Sequence, residues 1–188
     1  RWPSIHAVDA NTILIGYDYE QTGPTWDTSV YETRFAKSVD GGNSWAITRV
    51  DVNNDAAGVT SMDVIGSNNI FVAYAGDRGK GLKFAKSIDS GANWQIQTLY
   101  ATDDYWSISL DAIDANTTFI AAHDILSPQK VDFAKSTNGG QTWTKEIIVS
   151  EGTQGHSASL SAPNQNKIFV SFLNFMSSGD FLKMAVYG

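Results

Sequence analysis

The 188 residues contain no cysteine. That removes disulfide staples and thiolate metal sites, and thiol redox chemistry with them. Basic residues are scarce: thirteen Lys and Arg against twenty Asp and Glu leave a formal charge of −7. So few scattered cations cannot neutralise a run of phosphates, which argues against nucleic acid and anionic membrane surfaces as partners and favours neutral or cationic ones. No apolar run approaches the roughly 18 residues of a membrane helix. The first residues, RWPSIHAVDA, lack a signal-peptide apolar stretch. We therefore expect a soluble chain or an excised piece of one. Helical periodicity is missing as well, since apolar residues nowhere keep a three-and-four spacing.

Alternation and repetition fill the space. Apolar and polar residues alternate through TILIGYDY (12–19), NIFVAYAG (69–76), TTFIAAHD (117–124) and KIFVSFLN (167–174), each bounded by Asn, Asp or Gly. That pattern predicts half-buried strands between turns. A shorter strand precedes each, marked by Ser4-Ile5, Ser61-Met62, Ser109-Leu110 and Ser159-Leu160, with tight turns such as DANT in between. A third strand follows at 30–38, 82–87, 131–136 and 181–187. After the first three of these a Gly-rich turn leads into a fourth strand: WAITRVDV, WQIQTLY or WTKEIIV.

The Gly-rich segment is written three times, as FAKSVDGGNSW (35–45), FAKSIDSGANW (84–94) and FAKSTNGGQTW (133–143), 49 residues apart each time. Four antiparallel strands copied at this period predict an all-β β-propeller, in which neighbouring blades bury each other's faces. A two-sheet sandwich of this length has no reason to repeat its sequence. The blades fall at about 1–58, 59–106, 107–156 and 157–188, as three complete blades and a partial fourth of three strands. An unpaired strand edge there invites a further strand. Three resolutions stay open: residues beyond these 188, a small ring closed irregularly, or pairing with a second chain as a homo-oligomer.

The repeated turn reads Ser-x-Asp-x-Gly-x-x-Trp: Ser38, Asp40, Gly42, Trp45; Ser87, Asp89, Gly91, Trp94; and Ser136, Asn138, Gly140, Trp143. It resembles the Asp-box (BNR repeat) of the sialidase-like propellers, a family that also includes other glycosidases, sortilin-type receptors and assembly factors. The third copy departs by carrying Asn138, and Tyr187 stands where a fourth box Ser would be. A structural role explains these residue types. A short Asp or Asn accepts hydrogen bonds from its own turn, Gly takes a positive φ, and Trp closes the hairpin base. Burying one Trp contributes on the order of 4–6 kcal/mol gross, against about 1 kcal/mol for a capping carboxylate. A cation site in each turn would want the charge that Asn138 lacks, and the resemblance likewise implies a scaffold role.

A binding site is then expected on the opposite rim, formed by the loops between second and third strands and the links between blades. Tyr19, Trp26, His123 and Asp124 come from the loops, and Asp103, Asp104, Tyr105, Trp106 and His156 from the links. Counting back three residues from each inner-strand Ser places Arg1, Gly58, Trp106 and His156 at one equivalent position, so the frame repeats while this position varies. Arg1-Trp2-Pro3 resembles the Arg-Ile-Pro motif of sialidases, where arginine grips the substrate carboxylate, and Asp27 falls where the family's acid/base Asp would be. The family's second arginine is replaced by YDYE, and its third arginine and Tyr/Glu nucleophile pair have no counterpart.

The function expected is a noncatalytic recognition module for a carbohydrate or protein ligand. Tyr19, Trp26, Tyr105 and Trp106 would be its anchors, beside Asp103, Asp104, His123, Asp124 and His156. One alternative is a sialidase-like glycosidase, drawing a carboxylate pair from Asp18, Glu20, Asp27, Asp103, Asp104 and Asp124 with Arg1. The other is a structural or assembly propeller completed by another chain. No cofactor and no metal is expected. His6 shares an inner-strand position with Asp63, Asp111 and Ser161 and reads as a hydrogen-bonded channel residue. Richness in Ser, Thr and Asn without Cys suits an extracellular or cell-surface protein.

Overall fold

Period-two alternation becomes sheet wherever a turn can reverse the chain, and Asx-type turns do this here. In the computed structural model, which describes residues 3–23, 30–51, 56–76, 80–126, 128–149, 157–176 and 179–187, Asp9 Oδ1 accepts the N–H groups of Asn11 and Thr12, both at 2.8 Å. Asp114 repeats the arrangement with Asn116 and Thr117 at 2.7 and 2.9 Å. These are the DANT turns.

The described residues contain no helix. They form four antiparallel sheets. The first joins β1 (Ser4–Ala7), β2 (Ile13–Gln21), β3 (Val30–Ser38) and β4 (Ala46–Arg49). The second joins β5 (Ala56–Ile65), β6 (Asn69–Gly76), β7 (Leu82–Ser87) and β8 (Gln95–Tyr100). The third joins β9 (Tyr105–Ala112), β10 (Thr118–Asp124), β11 (Lys130–Ser136) and β12 (Thr144–Val149). The fourth has three strands: β13 (Ala158–Asn164), β14 (Lys167–Met176) and β15 (Gly179–Tyr187). Each sheet follows chain order, one hairpin after another. The first sheet's outer strand is shorter than its sequence suggested. It ends at Arg49, and Val50, buried, still donates its N–H to the Thr33 carbonyl at 2.9 Å.

The core is divided among the spaces between sheets. Leu14 and Phe35 of the first sheet pack with Met62, Val64, Val72 and Tyr74 of the second. Phe71 and Phe84 of the second meet Ile108, Leu110 and Ile120 of the third. Phe119 and Phe133 of the third meet Leu160, Ile168 and Val170 of the fourth. Middle strands such as β6 and β10 are buried on both faces, so their apolar character is continuous rather than strictly alternating.

The innermost strands are stitched side by side by a second repeat. Ser4 Oγ accepts the Met62 N–H at 3.2 Å, Ser61 Oγ that of Leu110 at 3.0 Å, and Ser109 Oγ that of Leu160 at 2.9 Å. Two residues along, Asp63 and Asp111 accept the N–H groups of Ala112 and Ala162 at 2.9 and 2.7 Å. The short polar residues paired with apolar ones near each strand start therefore link one blade to the next. Sheets stacked face to face in chain order, with their first strands linked along one inner line, make a β-propeller architecture of four blades.

Candidate functional site

The repeated turns close on themselves. Ser38 Oγ donates to Asp40 Oδ1 at 2.8 Å and accepts the Gly42 N–H at 2.9 Å, while Asp40 Oδ1 accepts the Ser44 N–H at 2.9 Å. Ser87, Asp89, Gly91 and Asn93 reproduce this at 2.8, 2.9 and 2.9 Å. In the third copy Asn138 Oδ1 takes the carboxylate's part, accepting from Ser136 at 3.0 Å and from the Thr142 N–H at 2.9 Å. An amide oxygen therefore serves where the charge is absent. Hydrogen bonds from Ser44 and Ser38 hold Asp40 at about 2, and those from Asn93 and Ser87 hold Asp89 at about 2. Gly42 and Gly91 take φ of 90° and 87°, the left-handed region that a side chain resists. Trp45 and Trp143 donate their indole N–H back to the Gly42 and Gly140 carbonyls, both at 3.1 Å.

At the opposite rim each of the first three blades carries a charge cluster near the far ends of its middle strands. Glu32 binds Arg34 Nε and Arg49, both at 2.8 Å, and the Arg34 guanidinium lies 3.4 Å from the centre of the Tyr19 ring. In the second blade Asp51 binds Lys83 at 3.0 Å and Tyr74 Oη at 2.9 Å, all three buried. In the third, Lys130 Nζ sits 3.1, 3.4 and 3.3 Å from Asp103, Asp124 and Asp132. Counted from the repeated Phe, Glu32 and Lys130 share one position, and Arg34 and Asp132 another, so the pair is kept with its signs exchanged.

The third cluster is the densest. Tyr105 Oη lies 2.7 Å from Asp132 and 3.2 Å from Asp103. Burial, reinforced by Asp132, pushes its phenol far above the ordinary range. Burial also raises the Asp132 carboxyl, against the pull of Tyr105 and Lys130. For Lys130 burial works the other way, but the hydrogen bond it donates to Asp103 and the surrounding carboxylates outweigh it and hold the ammonium charged. Asp103, Asp124 and Asp132 bring carboxylate oxygens within 4.8 Å of one another, close enough to share a cation, and Lys130 is the cation they surround. Asp124 Oδ1 also accepts the Asp104 and Leu126 N–H groups at 3.2 and 3.0 Å, which fixes the loop leaving β10.

Trp106 differs from its neighbours. Asp124 pairs with Tyr105 and His123 with Ser107, so Trp106 is the extra residue of a β-bulge at the start of β9. A bulge re-aims a side chain, and this one leaves the indole 56% exposed on the inner strand at the rim.

The geometry sorts the expected ligand residues. Asp103, Asp104, Tyr105, Trp106 and Asp124 come together at one end of the third blade. Tyr105 is 2% exposed, its ring in the core between the second and third blades, so it has no free face for a ligand to stack on. His123 and Asp124 are buried as well and face the blade interior rather than the solvent. Tyr19 lies in the first blade, partly buried under Arg34, apart from this group. Gly58 lies in β5, where pairing with β6 is irregular between Ala56 and Thr60. Arg1, Trp26, Asp27 and His156 lie outside the described residues. His6 faces Asp63 at 3.8 Å, an inter-blade contact.

Sequence reasoning missed Lys130 and Asp132. The signal was available: two opposite charges at i and i+2 on a strand share one face, here on a strand that is buried along most of its length. It also missed a groove on the side of the repeated turns, between the second and third blades, lined by Phe84, Lys86, Gln97, Gly140 and Gln141.

No protein-family model matches the chain, and no curated protein does. Similarity appears among solved structures. A protein of unknown function from Dyadobacter fermentans DSM 18053 superposes with a TM-score of 0.71 at 12% identity, covering 93% of this chain and 50% of that one. The phage phi92 endosialidase superposes at 0.58 and 11% identity, over 98% and 44% of the two chains. Trypanosoma rangeli sialidase in complex with sialic acid does so at 0.54 and 13%, over 98% and 35%. The chain thus spans half or less of the length of these structures. At such identities the likeness is one of fold: a sialidase-like β-propeller.

Proposed function

We propose that this chain is a noncatalytic propeller module that recognises a neutral or cationic ligand, a glycan or a protein segment, at the rim around Trp106, and that its repeated turns are Asp-boxes serving as scaffold. One observation carries the reading: a bulge turns a large indole outward beside a preorganised polar cluster. An exposed ring supplies a stacking face for a sugar or an apolar side chain, and neighbouring Asp103 and Asp104 supply acceptors for hydroxyl or ammonium donors. In the turns every acceptor of the Asp or Asn is engaged within the hairpin, which supports the scaffold role.

The alternative is a glycosidase. Its carboxylate pair would have to draw on Asp27, with Arg1 to grip a substrate carboxylate, because the carboxylates of the rim cluster are held by Lys130 and Tyr105 and two of them are buried. An anionic sialoside would also meet an acidic rim.

A glycan array followed by calorimetry tests the reading. Wild type and Trp45→Ala, whose indole lies on the far rim, are expected to retain the same glycan, and Trp106→Ala to lose at least tenfold in affinity. Retention by Trp106→Ala as strong as wild type overturns the site. Hydrolysis of a fluorogenic sialoside that disappears in Asp27→Asn overturns the noncatalytic reading.

A further inference from the structure

We propose that the groove between the second and third blades, on the side of the repeated turns, binds the carboxylate of a small organic acid, with Lys86 as its cationic partner. The groove has a volume of about 200 Å³. One wall is formed by the third and fourth strands of the second blade, through Phe84, Lys86, Gln95 and Gln97. The other is the turn of the third blade, through Gly140 and Gln141. Each of these blades packs against another on both of its faces, so contacts within the chain set the groove.

Charge selects the ligand. Lys86 Nζ donates to the carbonyls of Ala115 and Gly139 at 3.1 and 3.4 Å, which occupies two of the three donors an ammonium carries. Among the described residues it forms no ion pair, whereas Lys130 lies within reach of three carboxylates. Burial accordingly lowers the Lys86 ammonium from its ordinary value with no carboxylate acting against it, while Lys130 is raised. A half-buried cation held only by neutral oxygens has much to gain from an anion that reaches it.

The repeat separates frame from specialisation. Phe35, Lys37 and Gly91 hold the corresponding places between the first and second blades, 49 residues earlier, so the ring, the lysine and the glycine belong to the frame. The glutamines do not: Gln95, Gln97 and Gln141 stand where that interface has Ala46, Thr48 and Ala92. Between the third and fourth blades Glu146 takes the place of Gln97. The turn that walls this groove is also the copy that carries Asn138 in place of Asp. These exchanges take a negative charge away from beside the groove and put carboxamides into it. Gln97 Oε1 is taken by the Trp143 indole N–H at 2.8 Å, so what Gln97 offers a ligand is its amide N–H. The chain is acidic as a whole, yet none of the residues lining this groove is acidic. Phe84 and Ile96 supply an apolar wall for the body of the acid.

Amide chemical-shift titration of the isotope-labelled chain with sodium benzoate, at constant ionic strength maintained with sodium chloride, tests this. Benzoate is expected to shift the Gln97 and Gln141 side-chain amides and the Trp143 indole N–H along one saturating curve. Benzamide, of the same shape but neutral, is expected to bind about tenfold more weakly or not at all. Lys86→Gln removes the charge, and Gln141→Glu, at an exposed position, adds an opposing one without touching the core. Each is expected to weaken benzoate about tenfold. Gln141→Glu keeps the test decisive if circular dichroism shows that Lys86→Gln does not fold. Absence of a saturable shift in wild type overturns the proposal. Equal affinity for benzamide overturns it as well, because the groove then reads the ring and not the charge. So does benzoate binding unchanged in folded Lys86→Gln or in Gln141→Glu, and so do shifts confined to the rim around Trp106.

Discussion

Trp45 and Trp94 hold the same place in the same eight-residue turn, yet one is exposed and the other packs on a ring of the preceding blade. The Ser, Asp and Gly hydrogen bonds of the two turns match, with Gly42 and Gly91 both donating to the turn serine at 2.9 Å, although the Trp45 indole N–H reaches the Gly42 carbonyl at 3.1 Å and that of Trp94 has no partner among the described residues. The turn is thus a local object, built by its own side chains wherever it is written. What its indole contributes depends on what stands beside it. The comparison separates hairpin chemistry from propeller packing, and single substitutions can probe each part.

The largest effect is expected from the indole itself. Trp94→Ala or Trp143→Ala removes an aromatic contact between blades and should destabilise by about 3–5 kcal/mol, as for other buried aromatic truncations. Trp45→Ala should cost about 1 kcal/mol. Urea denaturation followed by far-UV circular dichroism measures all three. Equal losses would mean that the packing contributes nothing beyond the hairpin.

Glycine sharpens the contrast. A Cβ on Gly91 would fall 2.2 Å from Phe35 Cε1, whereas on Gly42 the nearest atoms lie at 3.8 Å. Both substitutions meet the positive-φ penalty of about 1–2 kcal/mol, and Gly91→Ala adds overpacking of about 1–3 kcal/mol against the Phe35 ring. Gly91→Ala should therefore lower the denaturation midpoint more than Gly42→Ala. The serines should show no such asymmetry. Ser38→Ala, Ser87→Ala and Ser136→Ala each remove one hydroxyl serving the same donors and acceptor, and each should cost about 1–2 kcal/mol. A spread as wide as that of the tryptophans would refute the view that the turns are local.

This division also explains what the sequence revealed. Period-two alternation and the copied turn are local signals, so strand existence, blade order and the three-stranded fourth sheet could all be read from them. Tyr105 was misjudged because it was read as part of the link between blades, whereas it opens β9 with its ring in the core. Its partner Asp132 is 27 residues away, brought near only when β9 and β11 flank β10. Trp106 was singled out by its place in the repeat, but the bulge that exposes it depends on the pairing of β9 with β10 and has no one-dimensional trace. The inter-blade stitch lay in plain view as Ser-apolar pairs. Its meaning needed the neighbouring strand.

The smallest effect concerns charge. Asp40 and Asp89 sit at about 2 in the folded chain against an ordinary value of 3.8, because their own turns hydrogen-bond the ionised form. A depressed folded value contributes stability that is fully present above the ordinary value and lost as pH falls toward the folded one. Asn138 makes the same neutral contacts and gives its turn no such dependence. The double variant Asp40→Asn, Asp89→Asn should therefore melt slightly below wild type at pH 6 and converge with it between about pH 4 and pH 2. Asn138→Asp should melt slightly above wild type at pH 6 and converge with it over the same window. The raised carboxyls of Asp111 and Asp132 act with the other sign, but neither touches these turns, so they cancel in the difference between variant and wild type. Melting curves that stay parallel from pH 6 to pH 2 would show that the carboxylates add nothing that an amide lacks, and would leave the three turns equivalent in charge as they are in geometry.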